Sequence, residues 1–100
     1  MKVNVKASKV EGSTNNVKGL CTVTFDDCFA VKNISIVENK KGENFVSMPS
    51  FKTKTVDTEG NPVFKDIAFP ITKEFREALY GKILESFEIG EEIEFNWLES

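Results

Sequence analysis

Phe75, Leu79, Ile83 and Phe87 recur at four-residue intervals, with Ala78 filling in beside the first two, and no other part of the chain repeats apolar residues at helical spacing. That is the stripe of a helix lying on something flat, and only a sheet built by the remaining residues offers such a surface. Both ends are marked. Thr72 is placed to cap the first turn with its hydroxyl, Pro70 bars an earlier start, and Gly90 can take the left-handed conformation that closes the last turn. The spacing predicts one helix between Thr72 and Gly90.

What precedes it alternates. Val3, Val5 and Ala7 share one parity and Lys2, Asn4 and Lys6 the other, the period of a half-buried strand. Glu11 to Asn16 has turn composition, and a second strand runs from Val17 to Phe25 with Cys21, Val23 and Phe25 toward the core. Asp26-Asp27 is the tip of a tight hairpin. In the third strand the phase breaks: Phe29 and Val31 have one parity, Ile34 and Ile36 the other. Both pairs reach one face only if an extra residue near Lys32-Asn33 shifts the register, so a β-bulge is expected there, the alternative being a strand buried on both faces. A short strand follows from Asn44 to Met48. Phe51 to Val56 and Val63 to Phe69 then form a hairpin arm with a polar tip, expected at an edge. After the helix, Ile93, Phe95 and Trp97 alternate with Glu92, Glu94 and Asn96, enough for a last strand. The expected class is α+β: a small, twisted, mainly antiparallel sheet of four to six strands with one C-terminal helix packed on it. Residues 1–90 form the domain and 91–100 an acidic, aromatic tail.

The 100-residue chain has no histidine, which excludes histidine acid–base catalysis, Cys/His nucleophilic pairs and Cys-His zinc sites. No metal site and no cofactor site is expected. Cys21 reads as a small buried residue; a disulfide to Cys28 is the less favoured alternative. Adjacent carboxylates at Asp26-Asp27 read as turn residues, and no serine or threonine has a base beside it in sequence, so no catalytic residue is assigned and no enzyme is expected. No apolar run approaches a bilayer span and no signal-peptide core is present, which makes the cytoplasm the expected compartment.

The net charge of −3 conceals an asymmetry: residues 1–82 hold all 13 cations and 10 of 16 acids, whereas residues 83–100 hold six glutamates and no cation. A polyanion could dock only on the first part. Lys52 and Lys54 share a parity on the arm, Lys65 lies on its return and Arg76 in the first helical turn, where it could reach the same side as Lys52 and Lys65. On residues alone the plainer reading is a solvated lysine face with Arg76 paired to Glu77, Asp66 or a backbone carbonyl; the alternative is a set of phosphate contacts. Glu74, Glu77, Glu85 and Glu88 line the outer helix face and would repel phosphate. Most aromatic residues fall on core faces, Phe51 and Phe69 excepted.

Three linked motifs carry a family likeness. Thr24-Phe25-Asp26-Asp27-Cys28-Phe29-Ala30-Val31, Phe45-Val46-Ser47-Met48-Pro49-Ser50 and Asp66-Ile67-Ala68-Phe69-Pro70-Ile71, followed by Arg76, resemble the stage V sporulation protein G (SpoVG) family from about Met1 to Phe87. The resemblance implies a small bacterial regulator tied to septation and sporulation, a twisted sheet with a C-terminal helix, a homodimer made through sheet edges, and binding of DNA or RNA. It places Ser50, Lys52 and Lys54 in the family's basic segment after the second motif, and Arg76 on its helix arginine. Three features depart from the pattern: a longer hairpin between Lys54 and Pro62, Phe69 where histidine is common, and the tail from Glu88. A protein-interaction or structural module docking through edge strands and the Phe95/Trp97 segment is the alternative.

Overall fold

The computed structural model describes residues 1–10 and 16–97, so the turn expected over Glu11 to Asn16 falls, Asn16 apart, outside the described residues, as does the end of the tail. The chain forms β1 (Lys2–Lys9), β2 (Val17–Phe25), β3 (Phe29–Glu38), β4 (Asn44–Ser47), β5 (Ser50–Val56), β6 (Pro62–Asp66), α1 (Lys73–Ile89) and β7 (Ile93–Asn96). Five strands make an antiparallel sheet in the order β4-β3-β2-β1-β7, and β5 pairs with β6 alone as a separate ribbon. The class is α+β, with one helix on one face of the sheet.

The parities select that face. Val3, Val5 and Ala7 from β1, Cys21 and Val23 from β2, and Ile34 and Ile36 from β3 are buried against Leu79 and Ile83 of the helix, with Met48 at the margin. Each Val, Leu, Ile or Met side chain among them contributes about 1.5–3 kcal/mol on leaving water. The phase break in β3 is a bulge: Cys21 pairs with Ile34 and Val23 with Val31, so Lys32 and Asn33 together oppose Thr22, and Asn33 sits at φ 64°. Asparagine tolerates that left-handed backbone better than most residues, which lets the apolar residues on both sides of it face inward.

The helix ends as its sequence specifies. Phe75 N–H donates to Thr72 Oγ1 (3.3 Å), and Gly90, at φ 73°, donates its N–H to the Ser86 carbonyl. Ser86 lies on the apolar arc and is fully buried; its hydroxyl accepts from Ala7 N–H (3.1 Å) and donates to the Glu91 carbonyl (2.6 Å). Phe87 lies against Gly19, where a Cβ would come within 2.6 Å of the ring, so only glycine lets helix and β2 approach this closely.

The tail contributes a strand. β7 pairs with β1 from Lys2 to Val5, Met1 and Trp97 exchange two hydrogen bonds, and the Trp97 ring meets Phe75 edge-on at 5.2 Å. Asp26 and Asp27 form a mirror-image hairpin turn at φ 50° and 55°. Asp26 Oδ1 accepts from Lys2 N–H, and Lys2 Nζ lies 2.6 Å from Asp27 and 3.3 Å from Glu94, pairings that raise the lysine pKa above its usual value. The aspartate pair thus ties the hairpin to β1.

Candidate nucleic-acid interface

Pro49 ends the sheet's edge strand and the chain leaves as the β5–β6 ribbon. Its root is closed by Ile67 N–H donating to the Pro49 carbonyl (2.7 Å), and its tip by Asp57, whose Oδ1 accepts from the N–H groups of Glu59 and Asn61. Gly60 supplies the positive φ of 82° that this turn requires. Midway, between the Lys52–Phe64 and Val56–Pro62 pairs, β5 spends three residues, Thr53 to Thr55, against one of β6, Val63, and Thr53 Oγ1 bridges the irregularity by donating to the Val63 carbonyl (2.8 Å).

Register assigns the side chains to faces, because directly paired residues share one. Lys52 pairs with Phe64, and Ser50 with Asp66, on one face; Lys65 pairs with Phe51 on the other. Lys52 and Lys65, expected on one side, are therefore on opposite faces of the ribbon. Lys54 falls within the irregular stretch, two residues beyond Lys52. Arg76 lies at the root: its guanidinium donates to the Pro70 carbonyl (3.3 Å), the backbone pairing anticipated for it. Its charge also acts on Tyr80, whose phenol is pushed up mainly by burial, with Arg76 opposing the shift and Asp66 adding to it. Arg76, Tyr80 and Asp66 are thus one electrostatic neighbourhood beside the start of the ribbon.

All four cations are exposed, and the ion pairs among the described residues involve Lys2 and Lys82 only. Glu74, Glu77, Glu85 and Glu88 are exposed on the outer helix face. The ribbon is also apolar: Phe51, Val56 and Phe64 are 50–60% exposed, and Ile67, Phe69 and Ile71 past its root more so or similarly. Phe29, Phe45 and Phe64, on strands whose large residues were expected to turn inward, are open to solvent as well. For Phe64 the signal was its place between Val63 and Lys65, which puts Val63 and Phe64 on different faces of a ribbon that has no second layer.

Among the described residues no group of three or more cysteines or carboxylates gathers as a metal site, and no helix is long and apolar enough to cross a membrane. Both cysteines are free, Cys21 buried and Cys28 exposed.

Comparison with known proteins gives one family model, SpoVG, matching residues 1–89. A protein of Phytoplasma australiense named as septation protein SpoVG is 40% identical over 89 residues, covering 88% of this chain and 84% of the relative. Relatives of the same name from Treponema denticola and Clostridium beijerinckii are 40% identical over 74% of the chain and 41% identical over 90%, covering 72% and 92% of their own lengths.

Proposed function

Since the chain belongs to the SpoVG family, we propose that it is a non-enzymatic, dimeric regulator of the bacterial cytoplasm that binds DNA or RNA through the ribbon and takes part in septation and sporulation control. The observation that carries this reading is the ribbon itself. It projects from the sheet with Lys52, Lys54 and Lys65 exposed and without a carboxylate partner among the described residues, and Arg76 stands at its root. A two-stranded ribbon fits the major groove of a duplex, and lysines on both faces can each meet a phosphate-lined wall. The acidic helix face repels phosphate, which leaves the ribbon side as the docking side.

Dimerisation is supported by the same element. An isolated two-stranded sheet is marginal in water, and this one presents several half-exposed phenylalanine and aliphatic side chains together with unpaired strand edges. Pairing with a second copy would cover both. The same apolar exposure favours a second reading, an interaction module whose ribbon docks on another protein without nucleic acid.

Fluorescence anisotropy with random duplex DNA and single-stranded RNA, at low and moderate salt, separates the two. The regulator binds with an affinity that falls steeply with salt, and Lys52→Glu with Lys54→Glu abolishes binding. Flat titrations with both probes at low salt would leave the interaction module.

A further inference from the structure

The helix covers one face of the five-stranded sheet; among the described residues, no other element packs over the opposite face. Its rows can be read from the register. Lys6 pairs with Thr22, which faces Lys32 and Asn33 of the bulge; Ser8, Leu20, Ser35 and Ser47 form the next row; Val37 and Phe45 form the row after that. Lys6 and Lys32 are exposed, and Leu20 and Phe45 are 44% and 45% exposed. Among the described strand residues on this face the one carboxylate is Glu94, at the far edge and held by Lys2.

We propose that this uncovered face is a second contact surface for the nucleic acid, one that takes a single strand laid across β1 to β4, with Lys6 and Lys32 on its phosphates and a base stacked on Phe45. The proposal rests on the nucleic-acid reading above and adds to it which form of the polymer is held, and where. A flat sheet cannot enter a duplex groove, but a single strand can lay its bases on it, and an aromatic ring at the edge with hydroxyls between accepts any base without reading its sequence.

Charge decides between this occupant and a second copy. Two copies meeting through this face about a two-fold axis would bury the Lys6 and Lys32 charges of both copies together, with only Glu94, at the far edge and already held by Lys2, as a carboxylate among the described strand residues of the face. A phosphodiester backbone supplies the missing charge. One ring and two cations make a weak platform, so the expected contribution is modest: loss of either feature weakens single-strand binding about tenfold.

The test compares the full-length protein, its Lys6→Glu/Lys32→Glu and Phe45→Ala variants, and the Lys52→Glu/Lys54→Glu variant, each titrated into a fluorescein-labelled oligothymidine and into a duplex of equal length. All four substituted lysines and Phe45 are exposed or nearly half exposed, and melting curves check that the variants stay folded. The expected result is that both sheet-face variants lose about tenfold on the single strand and less than about twofold on the duplex, with a shallower salt dependence for the lysine variant. If both bind the single strand like the unsubstituted protein while the ribbon variant does not, the sheet-face site is overturned and the ribbon reading stands. If the unsubstituted protein binds neither probe, both readings fall. A changed mass of the Lys6→Glu/Lys32→Glu variant by light scattering would instead make this face an interface between copies and overturn the proposal.

Discussion

Ser86 sits where the helix, the inner edge of β1 and the chain leading to β7 meet. Beyond Val5, β1 has outrun its pairing with β7, and the Ala7 N–H that would otherwise be stranded donates to the Ser86 hydroxyl. Nothing in the sequence announced this, since a serine within an apolar arc carries no periodic signal; Thr72 and Gly90, by contrast, act through chemistry local to their own turns and were legible. Ser86→Ala should destabilise the fold by about 1–3 kcal/mol, read from urea unfolding midpoints at unchanged slope, because it orphans a buried donor; a loss below about 0.5 kcal/mol would contradict this role. The cysteines divide as sharply. Burial pushes the Cys21 thiol from 9.0 to about 11, so the folded state keeps a proton that the unfolded chain releases; the associated stability is complete below pH 9 and is lost as pH rises toward 11. Cys21→Val should flatten stability between about pH 9 and 10, leaving the declines that set in above pH 10 from Tyr80 and above pH 10.5 from Lys2, whose pKa values are also raised. With Ellman's reagent at mildly alkaline pH, one thiol, Cys28, should react in the native protein and the second only on unfolding; two fast thiols would show that Cys21 is accessible.

Among the elements, β3 and β7 were the most readable and the ribbon the least. A change of phase in the apolar residues of β3 calls either for an extra residue or for a strand buried on both faces, and the structure takes the first course, with the bulge at Lys32-Asn33. The alternation of Ile93, Phe95 and Trp97 likewise specified a strand, although the partner edge could not be read. The faces of the ribbon were not legible, because they depend on a register that slips by two residues around Thr53, and that slip is set by a side-chain hydrogen bond to Val63, not by periodicity. β7 lies beyond residues 1–89 matched by the family model, and here it seals the outer edge of β1. A chain ending at Gly90 loses that pairing, the Trp97–Phe75 contact and the Glu94 partner of Lys2. It should melt lower by about 10 °C or more, as expected for a loss of ~2 kcal/mol in a domain of this size, and should self-associate with rising concentration through the bared edge. An unchanged melting temperature and mass would mean that the strand contributes nothing.

At the scale of the molecule, the sequence specified one helix on one sheet face because the two periodicities are incompatible with any other partition of apolar residues. It left open how the cations are distributed. Instead of one side shared by Lys52, Lys65 and Arg76, the structure has a two-faced basic and apolar ribbon with Arg76 at its root, and an acidic helix face away from the covered side of the sheet. The molecule should therefore be anisotropic in solution, with polyanion contact kept off the acidic helix face and duplex contact confined to the ribbon. Amide chemical shifts followed during titration with a short duplex at low salt test this most directly. Perturbations should concentrate at residues 50–56 and 62–66 and leave the amides of Glu74, Glu77, Glu85 and Glu88 unmoved; shifts centred on those four glutamates, or no shifts in the ribbon at saturating ligand, would contradict it.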